Sequence, residues 1–141
     1  MTIRLCLLGI LLLLLSLISA GCSSPAALPL LALDQLPAEV QHAHARTQQA
    51  YQVAAANPEV FQELPCYCGC AQIAHKSLYD CYMEAVADDG TLIYDLHAVG
   101  CGICVDITQD AVQLYDNGQS LEQIHTYIDT SYSRYGPATD L

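Results

Sequence analysis

The sequence predicts a mostly α protein: a small helical domain with one short β-hairpin and a cysteine-rich loop. Three observations carry this expectation. The segments after Cys101 and after Ser120 place apolar residues at helical spacing between start and stop signals. A further segment ahead of Asn57-Pro58 is rich in alanine and glutamine, which suit a helix. Loose alternation flanks Asp89-Gly90, a pair suited to a hairpin turn.

The chain opens MTIRLCLLGILLLLLSLISAGC, with Arg4, an apolar run from Leu5 to Ile18 and then small residues. This is the form of a secretory signal peptide, expected over residues 1–21 and set aside from the fold. The run is short for a transmembrane anchor, which is the competing reading. The ending ISAGC resembles a bacterial lipoprotein cleavage box, which makes Cys22 the expected lipidation site. Residues 22–37, with several prolines and no periodicity, are expected as lipidated N-terminus and tether. The domain is expected over 38–141.

Within it, one helix is expected from Pro37 to the Asn57-Pro58 stop, with Val40, His44, Thr47 and Tyr51 on a thin apolar face. His42 and His44 lie two apart and would face different sides, one exposed and one half-buried. After the cysteine loop, CYMEAVADDGTLIYDLHA reads as the hairpin, with Asp88 and Asp89 serving the turn. CGICVDITQDAVQLYDNG then reads as a helix burying Ile107, Ala111, Leu114 and Tyr115, with Gly118 as its C-terminal cap. Asp106 and Asp110 are expected as partners of that helix's dipole. Ser120 and Gln123 form a capping box for the last helix, whose buried face is Leu121, Ile124 and Ile128. His125 is expected at the surface.

Composition narrows the function. The net charge is −11, with 15 acidic residues against four basic ones, which argues against nucleic acid and favours cations. One Phe, no Trp and nine Tyr make a modest core that cross-links or a metal would help. With Cys6 in the signal and Cys22 lipidated, six cysteines remain: Cys66, Cys68, Cys70, Cys81, Cys101 and Cys104.

The three cysteines of PCYCGC alternate, and a Cys-x-Cys pair rarely reaches relaxed disulfide geometry. Cys101 and Cys104 open a helix, where the dipole and unpaired amides favour thiolate, the form that binds metal and attacks disulfides. His75 and His97 fall in the same stretch, so the candidate ligands are Cys66, Cys68, Cys70, His75, Cys81, His97, Cys101 and Cys104. Met83 offers a thioether or fills the core. Two cysteine clusters on separate elements follow the logic of a closed zinc site, but alternating cysteines also suit monovalent copper. Two other readings stay open. Six cysteines could form three disulfides in any of fifteen connectivities, or Cys101 and Cys104 could cycle as a redox pair. Haem attachment and the phosphate-loop, hydrolase-elbow and metalloprotease motifs are absent from the sequence.

LPCYCGCAQIAHKSLYDCY, followed by YDLHAVGCGICVDITQDAVQLYDNGQSLEQIHTYIDTSY, resembles the bacterial lipoproteins named for their PCYCGC motif. The resemblance runs from about Pro65 to Tyr132 and implies an extracytoplasmic, lipid-anchored protein. The family's pattern favours glycine before the histidine, where this chain has Ala74. The part from Cys101 onward is also similar to the small helical thiol reductase subunit of cytochrome c maturation, through Gly118, Ser120, Ile124 and Arg134 to Gly136. That likeness implies a helical hairpin and thiol chemistry, although this chain carries four extra cysteines. The combined expectation is a lipid-anchored protein outside the cytoplasm that captures or delivers a soft metal, copper in preference to zinc. Its partners would be the membrane and a metal-accepting or thiol-bearing protein, and sequestration requires no catalysis.

Overall fold

The computed structural model describes residues 27–139, the side chains of Cys70 and Ala71 excepted. The signal peptide expected over 1–21 and the lipidation site expected at Cys22 lie outside the described residues. Between Pro37 and Asn57 the chain forms two helices where its composition suggests one: α1, Ala38–Gln41, and α2, Ala45–Ala56. Side chains stabilise the break. The Gln48 amide donates to the Gln41 carbonyl and the Gln41 amide to the Leu36 carbonyl, each at 2.6 Å. His44 is extended as the N-cap of α2, so both His42 and His44 are exposed rather than divided between two faces. The buried residues here are Val40, Ala50, Tyr51, Val53 and Ala54.

The segment expected as a tether is docked over its later part. Leu31 and Gln52 exchange two hydrogen bonds, at 3.0 and 2.8 Å, and the Asn57 amide donates to the Pro29 carbonyl at 2.9 Å. Leu28, Leu31 and Leu36 pack on the core, and their burial outweighs the freedom of a linker. Pro58 opens α3, Pro58–Phe61, at a first-turn position where its missing N–H costs nothing.

The hairpin is present. β1, Met83–Val86, pairs antiparallel with β2, Leu92–Tyr94, with an irregularity at Glu84 between the Met83↔Tyr94 and Ala85↔Ile93 pairs. Gly90 adopts φ +84° in the turn. Asp89 accepts the Thr91 N–H at 2.9 Å, which holds its carboxyl below the ordinary range. Met83 is fully buried in the core.

Three helices complete the chain: α4, His97–Gly100; α5, Gly102–Asp116; and α6, Leu121–Tyr132. Gly118 ends α5 at φ +80°, with its N–H on the Tyr115 carbonyl at 2.9 Å and the Gln119 N–H on that of Leu114 at 3.0 Å. This paired closure satisfies the last carbonyls of the helix. The capping box of α6 forms in both directions, Gln123 N–H to Ser120 Oγ and Ser120 N–H to Gln123 Oε1. Asp106 and Asp110 lie beyond the first turn of α5 and join helices instead of serving its dipole. Asp106 meets Arg46 of α2 at 2.9 Å, and Asp110 accepts from Tyr127 and Tyr132 of α6 at 3.1 and 2.8 Å. His125 is partly exposed and lies 3.2 Å from Asp129.

α2 and α6 both pack on α5. At the centre the Tyr51 and Tyr82 rings meet edge to face, 4.9 Å apart. The Tyr82 hydroxyl donates to the Cys104 carbonyl at 2.9 Å and lies 2.6 Å from Thr108 Oγ1. Burial pushes its ionisation well above the ordinary phenol range, so it remains a donor. Among the described residues no helix is long and apolar enough to cross a membrane.

Tyr132 gives this packing a pH signature. Burial, then its hydrogen bond to Asp110, raises the phenol above its ordinary 10.0. The folded chain therefore keeps a proton that the unfolded chain releases, and this stabilisation is complete below pH 10 and fades above it. Thermal denaturation from pH 9 upward should show a steeper alkaline decline in wild type than in Tyr132→Phe; identical slopes would contradict it.

Candidate metal centre

The site is assembled from three stretches of chain. Cys66 and Cys68 come from the loop after α3, and Cys81 from a single 3-10 turn, Tyr79–Cys81, just before β1. His97 is the first residue of α4; Cys101 lies between α4 and α5, and Cys104 is in the first turn of α5. The three sulfurs of Cys66, Cys68 and Cys104 form a triangle with sides of 3.4, 3.5 and 3.6 Å. A disulfide is about 2.05 Å long, so no two of these three are joined. A tetrahedral ion with bonds of about 2.3 Å to sulfur spans sulfurs about 3.8 Å apart. The triangle is within a few tenths of an ångström of that span.

Two sets of four ligand atoms lie within 4.8 Å of one another: Cys66, Cys68, Cys81 and Cys104, and Cys68, His97, Cys101 and Cys104. The Cys68 sulfur is 3.6 Å from His97 Nε2. Cys66, Cys81 and Cys104 are fully buried, while Cys68 and Cys101 are half-buried, so the cluster opens to solvent on one side. Of the eight ligands that the sequence nominates, the structure brings six together. The side chain of Cys70 lies outside those described. His75 belongs to neither set; its ring packs edge-on against that of His97, with centroids 5.4 Å apart. His75 Nε2 faces Asp95 Oδ2 at 3.3 Å, and its buried Nδ1 has no hydrogen-bond partner.

Local sequence explains how the loop is held. Gly69 takes φ +82°, a left-handed turn that suits glycine. The C-terminal segment lies against the motif. Thr139 donates its N–H to the Cys66 carbonyl and accepts the Cys66 N–H on Oγ1, both at 2.9 Å. A Cβ at Gly136 would lie 3.1 Å from the Tyr67 carbonyl oxygen, so a side chain there would push the motif backbone back by a few tenths of an ångström. The Tyr67 hydroxyl donates to Asp129 at 2.5 Å, and burial with that bond pushes its ionisation up to about 12.

Asp95, which sequence reasoning passed over, meets both histidines, His97 through its backbone N–H and His75 through its ring. Its Oδ1 accepts the His97 N–H at 2.6 Å, fixing the start of α4, while Oδ2 faces His75. Its carbonyl accepts the Tyr51 hydroxyl at 2.8 Å. The legible signal was an aspartate two residues ahead of a short helix, a common local capping arrangement. Thr139 had no such signal, since its partner is 73 positions away.

Ala74, just before His75, sits at φ +68°, and it is the one non-glycine residue with positive φ among those described. The left-handed region costs an L-residue about 1–2 kcal/mol, whereas glycine adds about 0.4–1 kcal/mol of unfolded-state entropy. Ala74→Gly should therefore stabilise by roughly 0.5–1 kcal/mol in urea denaturation, and a loss would contradict the assigned backbone. Thr139→Val keeps the shape but leaves the Cys66 N–H without its acceptor. It should cost about 1–3 kcal/mol by the same measurement, and no change would show the tail to be dispensable.

Residues 30–141 match the family model described as a protein of unknown function with PCYCGC motif. No curated protein and no solved structure matches the chain.

Proposed function

The chain belongs to the PCYCGC-motif family, and from that premise and the geometry of its thiols we propose that it captures or delivers a soft metal ion, copper in preference to zinc. The observation that carries this is the gathering of five cysteines and one histidine, drawn from residues 66–104, into two sets of four that share Cys68 and Cys104. As neutral thiols these side chains pack like small apolar groups, but as thiolates, the form that binds metal, they repel one another unless a cation lies among them. Thiolate and imidazole are soft donors, and thiolate favours Cu(I). The half-buried Cys68 and Cys101 give an ion a way in and out, which suits transfer better than permanent storage. The acidic charge of the chain would draw cations toward it.

The location is part of the proposal. The opening sequence and Cys22 support a secreted precursor that is lipidated and held on the outer side of a membrane. There it would meet metal ions or a thiol-bearing acceptor protein. A thiol–disulfide role is the second reading, favoured by the position of Cys101 and Cys104 at the N-terminus of α5.

Anaerobic titration of the reduced full chain with Cu(I), against a chromophoric chelator, separates the two. Tight stoichiometric binding is expected, lost in Cys104→Ser and weakened in His97→Ala, which removes the imidazole donor beside Cys68. Failure to compete for copper, together with a reversible Cys101–Cys104 disulfide by mass spectrometry, would replace the metal reading with the redox one.

A further inference from the structure

Resting on the metal-binding reading, the geometry points to a binuclear centre in which we propose that Cys68 and Cys104 bridge two soft ions. The two sets of four ligand atoms are not alternatives that merely overlap. Each contains Cys68 and Cys104, whose sulfurs are 3.6 Å apart, and each adds two residues that the other lacks. Cys66 and Cys81 complete one set; His97 and Cys101 complete the other.

A single four-coordinate ion in either set would leave two further soft donors beside the shared sulfurs. Those donors come from different parts of the chain, so the two ends of the pair are built independently. Cys81 arrives on the turn before β1, while His97 and Cys101 frame α4. A thiolate sulfur has lone pairs for two ions, which an imidazole nitrogen does not, and both shared positions are cysteines.

Charge does not oppose the second ion. One monovalent ion with the thiolates of Cys66, Cys68, Cys81 and Cys104 leaves the same net charge as two ions with those four and Cys101, because the added cation is matched by the one added thiolate. The neutral His97 imidazole completes the second set without further charge. Binding is exchange only: each ion displaces thiol protons, which leave to solvent, and no electron moves.

The two ends also differ in exposure. Cys66 and Cys81 are fully buried, whereas Cys101 is half-buried. The ion on Cys101 and His97 is therefore the one positioned for exchange, and the ion on Cys66 and Cys81 the one retained.

Native mass spectrometry and elemental analysis of the reduced full chain loaded with Cu(I) test this. Two ions per chain are expected. Cys101→Ser should hold one, and Cys68→Ser, at the half-buried bridge, should no longer hold two. X-ray absorption on the doubly loaded chain should show a metal–metal vector of about 3 Å, the span across two bridging sulfurs with bonds of about 2.3 Å. One ion per wild-type chain would overturn the bridge and leave the metal-binding reading standing, as would two ions without a short metal–metal vector. No bound ion would overturn both.

Discussion

Asp95 stands where the hairpin passes the chain to the cysteine-bearing helices, and each of its polar groups holds a different element. Its N–H donates to the Tyr82 carbonyl at 3.0 Å, its carbonyl accepts from Tyr51 of α2, and its carboxylate takes the His97 N–H and faces His75. Tyr82 in turn reaches α5 through Cys104 and Thr108. Asp95 thus joins α2, α4 and the residue before β1 directly and α5 through Tyr82, and the ligands carried there share a common frame. A half-buried carboxylate with several partners in place is held firmly, because displacing it leaves those polar groups without their hydrogen bonds.

The second constraint is the contact between the two ends of the domain. The PCYCGC loop has little regular structure of its own: Thr139 holds its backbone at Cys66, Gly136 lies close against it, and Asp129 takes the Tyr67 hydroxyl. The tail contacts help to hold the loop that carries Cys66 and Cys68, and an ion bound there would add its binding energy to folding. A centre made this way is stable once closed and sensitive to anything that loosens the tail.

The local elements were legible in the sequence because their causes are local. The Ser120–Gln123 box, the Gly118 closure and the Asp89-Gly90 turn each depend on residues within a few positions, and all three formed as the residue types require. The residue before His75, Ala74, occupies the left-handed region, which glycine enters at no steric cost. What escaped the sequence was decided across distance. The break at His42–His44 depends on Gln48 and Leu36, the docking of residues 28–36 on Gln52 and Asn57, and the roles of Asp106 and Asp110 on α2 and α6.

The sequence by itself determined the mostly helical class, the hairpin and the donor chemistry, because periodicity, capping and ligand softness are properties of neighbouring residues. Which donors meet was a matter for the tertiary structure alone. Cys66 and Cys104 are 38 positions apart yet 3.5 Å from sulfur to sulfur, while His75, closer to Cys66 in the chain, is turned to Asp95. The pairing of ligands follows from how α2, α4, α5 and the hairpin pack around Tyr51, Tyr82 and Asp95, and no spacing rule along the chain encodes that packing.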